Sequence, residues 1–273
     1  MAFQVTSTYR PPEPVPAATV ILLRPTPPDF EVFLARRHIK SDFAPDVFVF
    51  PGGKASHDDV PAPGELDRAD WPVLSPAREP APGWPAIHMA AIRELFEESG
   101  IVLARSSNGS PLALTDDHDL GVRFDHYRAE VREGTLTLSE LARREGLVYQ
   151  GGQLHLFSNW ITPPVLNKRF DTFFFVTSSP EGQTAVHSDL HELTDSIWIR
   201  PEEALARYWA GSFPLVFATE RNLERLAGMS SIEAVIESTG GAVETVTPRW
   251  QDLNGDRRFL IPGDPGYEAA LSE

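Results

Sequence analysis

The feature that most constrains the fold of this chain is the run from Arg93 to Ile101, which reads Arg-Glu-Leu-Phe-Glu-Glu-Ser-Gly-Ile. Each helical residue advances by about 100°, so Glu94, Glu97 and Glu98 share one face of a helix. The opposite face carries the apolar side chains that a core buries. The pattern predicts an amphipathic helix from 84 to 99, which the glycine of the run is placed to end.

Three like charges on one face destabilise a bare helix unless a cation is bound. Mg²⁺ and Mn²⁺ take carboxylate oxygens as ligands. A solvated acidic face is the simpler interpretation of a charge run, but two neighbours favour a metal site. Arg93 precedes Glu97 by one turn, and a backbone turn ends in Gly53, whose carbonyl is able to approach a metal. We therefore predict Mg²⁺ or Mn²⁺ bound by Glu94, Glu97 and Glu98, with the Gly53 carbonyl as a fourth ligand.

The run resembles the signature of the Nudix hydrolases, in which a glycine and five residues precede a glutamate, and Arg-Glu-apolar-x-Glu-Glu-x-Gly-apolar follows seven residues later. Gly53 opens the pattern here and Arg93 begins its second half, but the two lie 40 positions apart where the family has 14. The position of the family's first glutamate holds Asp59 when counted from Gly53, and Pro85 when counted from Arg93. That role is either carried by Asp59 or lost.

A split signature of this kind is similar to the Nudix branch that contains the peroxisomal coenzyme A diphosphatases. The resemblance extends from about Thr19 to Tyr267. The stretches that carry it are 49–54 (Val-Phe-Pro-Gly-Gly-Lys), 160–163 (Trp-Ile-Thr-Pro), 169–175 (Arg-Phe-Asp-Thr and three Phe), 198–201 (Trp-Ile-Arg-Pro) and 261–265 (Ile-Pro-Gly-Asp-Pro).

The resemblance implies a substrate in which a nucleoside diphosphate is linked to another group. Mg²⁺ or Mn²⁺ would bridge the diphosphate oxygens and lower the pKa of an attacking water. Glu94 would act as general base or as ligand, and Arg93 would orient a glutamate. The family often takes a further acid from a distant loop, for which Glu192 is the candidate, although a solvated loop acid is an equally good interpretation. Asp59 is the other candidate for an additional metal ligand.

Arg36, Arg37 and Lys40 form the densest basic cluster near the glycine turn. The 3′-phosphate of a coenzyme A substrate is a suitable ligand for such side chains. A solvated strand end is the better interpretation for at least one of the three. The three phenylalanines at 173–175 are expected in the core or in a subunit interface.

Composition excludes several classes of protein. The net charge of −15 disfavours a nucleic-acid partner, and the absence of cysteine excludes disulfides and zinc–thiolate sites. The sequence has neither an apolar run of 18 residues nor an apolar signal-peptide core in its first 16 residues. We expect a cytoplasmic protein that acts on a small molecule and contacts no membrane, with a homodimer as a plausible assembly for the family.

Strand-like and helix-like segments alternate without a linker, which predicts one α/β domain over 1–273. The resemblance sharpens this to a Nudix-like α/β/α sandwich with a central mixed sheet and added helices. A proline-rich insertion at about 54–85 lies between the two halves of the site, where it is a candidate lid, and a helical segment is expected at about 116–146. The tail from Arg249 is expected to be irregular. Other strands are expected at 17–23, 30–35, 47–50, 153–160, 172–178 and 196–199, and other helices at 201–209, 217–227 and 231–238.

The favoured hypothesis is a metal-dependent hydrolase that cleaves the diphosphate linkage of a nucleoside diphosphate derivative such as coenzyme A or its thioesters. A catalytically silent Nudix-fold protein that binds a nucleotide is the main alternative, because the signature is interrupted and lacks its first glutamate. A third hypothesis keeps the chemistry but changes the substrate to ADP-ribose, NADH or a dinucleoside polyphosphate.

Overall fold

A computed structural model describes residues 11–38, 46–68, 70–185, 193–253 and 256–270. Its strands are β1 (Val15–Thr26), β2 (Asp29–Arg37), β3 (Phe48–Val49), β4 (Gly52–Lys54), β5 (Leu74–Ser75), β6 (Ala104–Ser106), β7 (Leu147–Tyr149), β8 (His155–Ile161), β9 (Phe170–Ser178), β10 (Leu193–Ile199), β11 (Val243–Val246), β12 (Arg249–Leu253) and β13 (Asp256–Leu260). Within the described residues, nine strands form one sheet in the order β10-β2-β1-β9-β8-β11-β5, with β3 paired to β2 and β4 to β1. The pairs β6–β7 and β12–β13 form two small antiparallel sheets.

Strand β1 lies in the middle of the large sheet and explains its mixed character. It runs parallel to β9 but antiparallel to β2 and β4. Side chains alternate between the two faces of a strand, so Val20 and Leu22 enter one apolar cluster while Ile21 and Leu23 enter another. Burial on both faces accounts for the nearly continuous apolar sequence of this strand.

The helices cover both faces of the sheet. They are α1 (Trp84–Ser99), α2 (His118–Arg132), α3 (Leu138–Glu145), α4 (Pro201–Trp209), α5 (Phe217–Ala227) and α6 (Ile232–Glu237). Side chains of α1, α2 and α3 pack in one cluster, and those of α4, α5 and α6 pack in the other. This arrangement confirms the predicted α/β/α sandwich with a mixed sheet. None of the helices in the described part of the chain is long and apolar enough to cross a membrane.

Helix α1 has the predicted bounds, and local chemistry explains both ends. Pro85 occupies its first turn, where the missing backbone N–H is not needed. Gly100 follows the last residue with a φ of 79° and donates its backbone N–H to the Phe96 carbonyl. Only glycine adopts this left-handed conformation at low cost. The apolar face of α1 is fully buried in the sheet-side cluster.

The three phenylalanines at 173–175 all lie in the core. Phe173 and Phe175 are fully buried in the cluster on the α1 face, and Phe174 enters the cluster on the other face. Strand alternation therefore distributes one run of identical residues between both layers. The expectation of a core position is confirmed.

The insertion at 54–85 is attached to the body of the protein. Its strand β5 pairs in parallel with β11. Arg78 makes two hydrogen bonds to the Asp171 carboxylate, at 2.7 and 2.8 Å. Earlier in the insertion, Arg68 donates to the backbone carbonyls of Gly151 and Leu154 at 2.7 and 2.8 Å. Paired backbone and charge-assisted hydrogen bonds thus hold this segment in place.

His88 of α1 forms a second attachment point for the insertion. Its Nδ1 donates to the Trp84 carbonyl at 2.8 Å, and its ring packs edge-on against Trp71 of the insertion at 5.1 Å. Phe175 lies 4.7 Å away on the sheet. Burial lowers the pKa of His88 from 6.5 to about 3, the hydrogen bond to Trp84 partly opposes this, and the charge of Arg68 adds to it. His88 is therefore neutral in the folded protein near neutral pH.

The prediction of an irregular C-terminal tail is wrong. Strands β12 and β13 pair as an antiparallel hairpin, with Trp250 opposite Phe259. The sequence between them contains Asn254-Gly255, a pair that favours two-residue hairpin turns. The prediction overlooked this turn signal because the flanking residues are charged rather than apolar.

Candidate active site

The glutamate face of α1 meets the backbone of β4 at a pair of glycines. The Gly52 N–H donates to Glu98 Oε2 at 3.1 Å. A Cβ atom at Gly53 would overlap the Glu94 carboxylate, and one at Gly52 would collide with β1. Only glycines allow so close an approach. The structure therefore brings the two halves of the interrupted signature together, although 40 positions separate Gly53 from Arg93.

Arg93 is the centre of the site's hydrogen-bond network. Its Nη1 donates to Glu94 Oε1 at 2.7 Å and to Glu97 Oε1 at 3.0 Å. Its Nη2 donates to the Lys54 carbonyl at 2.8 Å. Both oxygens of Asp59 accept from the same guanidinium, at 2.8 and 3.1 Å. One planar donor group thereby fixes three carboxylates and one backbone carbonyl.

Asp59 lies in a single 3₁₀ turn (His57–Asp59) and is 2% exposed. Its Oδ2 also accepts from the Ser56 N–H at 2.6 Å, and Ser56 caps the turn in return. Sequence spacing left open whether Asp59 carries the role of the missing glutamate or whether that role is lost. The structure places Asp59 on the signature arginine, with both of its oxygens engaged in hydrogen bonds.

Burial and the attraction between Arg93 and the carboxylates dominate the electrostatics of the site. Burial raises the pKa of Glu94 to about 7, Arg93 opposes the shift, and the charges of Glu97 and Asp59 add to it. Burial lowers the pKa of Arg93, but its hydrogen bond to Asp59 and the surrounding carboxylates outweigh this and raise it overall. Arg93 is therefore permanently charged, and the carboxylate cluster carries more negative charge than one guanidinium balances.

The donor set suits a hard divalent cation. Its oxygens come from carboxylates and backbone carbonyls, the ligands that Mg²⁺ and Mn²⁺ take. In the part of the chain that the structure describes, no group of three or more acidic or histidine side chains already converges as a cage. Glu94 and Glu97 are paired with Arg93, and Glu98 with Gly52.

These groups line a cavity of about 1160 Å³. Its floor is the sheet face that also packs against α5, where Ala17, Thr19 and Thr172 leave open space. At one side stand the site carboxylates. At another stands an aromatic wall, which we define as Trp160, Phe217 and Phe259. Phe217 links the other two, with ring centroids 6.1 and 5.8 Å away.

The predicted basic cluster divides between different environments. Arg37 lines the cavity, and its Nε is buried without a hydrogen-bond partner among the described atoms. Arg36 points to the other side of β2, where it pairs with Asp46 at 2.9 Å. Lys40 lies outside the described residues, as does Glu192. Of these four candidates, the structure therefore brings Arg37 to the site.

Four other basic residues at the cavity were not predicted as site residues. They are Lys54, Arg132, Lys168 and Arg169. Lys54 follows the glycine pair directly, which was a usable signal. Arg132 and Lys168 lie far along the chain, and only the fold brings them to the same opening.

Comparison with known proteins agrees with this geometry. Residues 74–219 match the family model described as the NUDT19 Nudix domain. The acyl-coenzyme A diphosphatase NUDT19 of Gallus gallus is 27% identical over 288 residues, covering 88% of this chain and 75% of that protein. The protein of the same name from Xenopus laevis is 30% identical over 212 residues, covering 66% of this chain and 55% of that protein.

A solved structure resembles the whole fold. The crystal structure of a Nudix hydrolase from Alicyclobacillus acidocaldarius superimposes with a TM-score of 0.68 at 28% identity, covering 84% of this chain and 99% of that one. The family match spans more than half of the chain and includes the glutamate helix. The chain belongs to the Nudix hydrolases, in the family defined by the NUDT19 Nudix domain.

Proposed function

We propose that this protein is a metal-dependent diphosphatase that cleaves the diphosphate linkage of coenzyme A or its thioesters. The observation that carries the proposal is the Arg93 network, which presents Glu94, Glu97 and Glu98 beside the Gly52-Gly53 backbone at the edge of a large cavity. An intact set of acids held by an intact arginine is the arrangement that hydrolysis needs.

Nudix hydrolases generally use divalent metal ions, and we propose Mg²⁺ or Mn²⁺ here. Glu94, Glu97 and Glu98 would hold the ion together with the Gly53 carbonyl. When bound, the ion would neutralise negative charge on the diphosphate and would lower the pKa of a water molecule. Glu192 remains the proposed source of an additional acid. For Asp59 we propose orientation of Arg93 rather than metal binding, because both of its oxygens accept from that guanidinium.

The side chains of the protein would orient the ligands and activate the water. Arg93 holds the glutamates in position through its fork of hydrogen bonds. Glu94 is the proposed general base or a ligand, since its carboxylate lies directly beside Gly53 at the cavity edge. A base has to lie within hydrogen-bond reach of the water it activates, and a carboxylate at this edge faces the space where a diphosphate fits.

The shape and charge of the cavity support a coenzyme A substrate. Pockets for drug-sized ligands span about 300–1000 Å³, so about 1160 Å³ suits a long, flexible nucleotide derivative. Arg37 is the proposed partner of the 3′-phosphate because its Nε is buried at the cavity without a hydrogen-bond partner among the described atoms. The aromatic wall offers an apolar surface to the rest of the substrate. The names of the two NUDT19 relatives point to the same substrate class.

The alternative is a nucleotide-binding protein without turnover. The interrupted signature favours it, since 40 positions separate Gly53 from Arg93 and no glutamate stands at the first acidic position. The pairing of Asp59 with Arg93 weighs against it. The same diphosphate chemistry on ADP-ribose, NADH or dinucleoside polyphosphates is the remaining alternative.

A hydrolysis screen tests the proposal. Purified protein with Mg²⁺ or Mn²⁺ is incubated with coenzyme A, acetyl-coenzyme A, ADP-ribose, NADH and diadenosine polyphosphates, and products are identified by mass spectrometry. Release of 3′,5′-ADP and 4′-phosphopantetheine from coenzyme A is the expected result. Turnover of another substrate alone would reject the substrate assignment, and binding without any product would favour the silent protein.

A further inference from the structure

Arg128 is a buried arginine that the network around Arg93 does not include. It belongs to α2, in the helical segment that follows the glutamate helix, and is 3% exposed. The buried face of α2 consists of Phe124, Arg128 and Val131, so a guanidinium occupies a position where an apolar side chain would be expected. Burying a charge is costly unless it is paired. This cost indicates that Arg128 has a specific partner.

The last turn of α1 supplies one such partner. Arg128 Nε donates to the backbone carbonyl of Glu97 at 2.9 Å. The last four carbonyls of a helix lack partners within the helix. Gly100 satisfies the Phe96 carbonyl at 2.9 Å, and Arg128 satisfies the next one. Its positive charge also lies at the negative end of the helix dipole, where cations are stabilising.

A ring contact one helical turn earlier fixes α2 in this place. Phe124 lies edge-to-face on Phe96 of α1 with ring centroids 6.3 Å apart. Phe124 and Arg128 are four residues apart and share one helix face. Two consecutive turns of α2 therefore contact the one turn of α1 that carries Glu97 and Glu98.

The positive charge of Arg128 also interacts with charged side chains around it. Burial lowers its pKa to about 10, while the charges of Asp125 and Glu98 act to raise it and Arg132 acts to lower it. It remains charged near neutral pH. Its positive charge therefore lies close enough to Glu98, one of the proposed metal ligands, to stabilise the charged form of both groups.

We propose that Arg128 is a positioning residue for the catalytic centre, which holds the Glu97–Glu98 turn of α1 in place from the side opposite the cavity-facing carboxylates. This inference rests on the proposed function for the identity of the metal ligands. It adds a part to the site that lies outside the signature and belongs to the added helices.

The test compares Arg128→Met, Arg128→Lys and the control Arg123→Met. Arg123 lies on the same helix but pairs with Glu145 at the surface, with its side chain 47% exposed. Three quantities are measured: Mn²⁺ affinity of the substrate-free protein by electron paramagnetic resonance of free Mn²⁺, kcat and KM for the substrate found in the screen, and the melting temperature.

Loss of an outer partner of a metal site typically costs 10–100-fold in metal affinity or activity. We expect Arg128→Met to weaken Mn²⁺ binding by at least about tenfold and to lower kcat more than it changes KM. Arg128→Lys should recover part of both losses, since lysine keeps the charge but not the fork of donors. Arg123→Met should match the wild type in all three quantities.

Two results would overturn the inference. Mn²⁺ affinity and kcat of Arg128→Met equal to those of Arg123→Met would leave Arg128 with a packing role alone, and tighter Mn²⁺ binding would make it a competitor of the metal. If Arg128→Met does not fold, Arg128→Gln, which is shorter and uncharged, takes its place, and Mn²⁺ affinity and kcat equal to those of Arg123→Met would overturn the inference equally. A wild-type protein without hydrolysis would reject the proposed function instead, and Mn²⁺ affinities would still decide the role of Arg128.

Discussion

Asp59 shows how far single residues could be predicted from the sequence. Counting from Gly53 identified it as a candidate, but the count could not exclude that the acidic role was lost. The decision depends on a contact between residues 34 positions apart, which the fold alone closes. Arg128 was missed altogether, yet a signal existed. Phe124, Arg128 and Val131 follow a helical stripe in which one arginine interrupts two apolar residues.

Asp59→Asn should lower both stability and turnover, because the amide removes the charge that faces Arg93. Breaking a buried ion pair by removing one partner costs about 3 kcal/mol or more, and the glutamates also hold Arg93, so we expect a loss of about 2–3 kcal/mol. Urea unfolding and steady-state kinetics measure the two effects. Asp58→Asn is the control, since Asp58 forms its ion pair with the exposed His57 and not with Arg93 in the described part of the chain. Equal behaviour of both variants would mean that Asp59 is merely part of the turn.

Glu97→Gln and Glu98→Gln should each lower kcat by several orders of magnitude without a comparable loss of folded structure. An amide keeps the shape of the side chain but is a poor ligand for Mg²⁺ or Mn²⁺. Glu130→Gln, on the exposed side of α2, controls for loss of a negative charge. Near-normal kcat in both variants would place the metal elsewhere.

Helices and strands were predicted correctly where several local sequence signals agreed, and were missed where those signals were weak. Helix α1 has its predicted bounds because a proline, an apolar stripe and a glycine all specify the same segment. The β12–β13 hairpin was missed because its strands carry charged residues and the Asn254-Gly255 pair between them was not weighed as a turn signal. That omission mattered for the site, since Phe259 of β13 lines the cavity.

Phe259→Ala tests whether this hairpin takes part in substrate binding. Removal of the ring opens the aromatic wall and takes away apolar contact area worth about 1–3 kcal/mol. We therefore expect KM for a coenzyme A thioester to rise about tenfold, with a smaller effect on kcat. Arg258→Ala changes the exposed neighbour on the same strand and serves as the control. Identical KM values in the two variants would exclude a contribution from the wall at this position.

In the described part of the chain, one sheet separates two apolar layers. The alternation of strands and helices predicted an α/β domain, and the resemblance to the Nudix hydrolases predicted the mixed sheet between helices. What the sequence could not supply was the way in which the insertion joins the sheet edge and α1. His88 lies at that junction, where Trp71 and Trp84 cover it and Arg68 of the insertion contributes a positive charge.

Because His88 is buried and its pKa is lowered, we expect the protein to lose stability in acid. The unfolded chain takes up a proton near pH 6.5, whereas the folded protein resists protonation until about pH 3. The stability that depends on a neutral His88 is therefore fully present above pH 6.5 and is lost as the pH falls toward 3. Each pH unit in this window costs about 1.4 kcal/mol, or roughly 2–3 kcal/mol at pH 4.5.

Urea unfolding of the wild type, His88→Gln and His57→Gln between pH 7 and 4.5 measures this effect. The free energy of unfolding should fall less steeply with acid in His88→Gln, whatever its stability at pH 7. His57, whose side chain is 90% exposed, should leave the slope unchanged. Parallel curves for all three proteins would show that His88 is not the group responsible.

Because β1 lies in the middle of the sheet, a fragment that lacks this strand cannot form the complete sheet. The matched segment, 74–219, begins after β1, β2 and β4. A fragment with those boundaries would expose the edge of β9 that β1 covers, and an uncovered strand edge invites association with other chains. It would also separate the glutamates from Gly52, Gly53 and Asp59. The segment by which this chain matches its family is therefore shorter than the segment that is needed to complete the sheet and the candidate site.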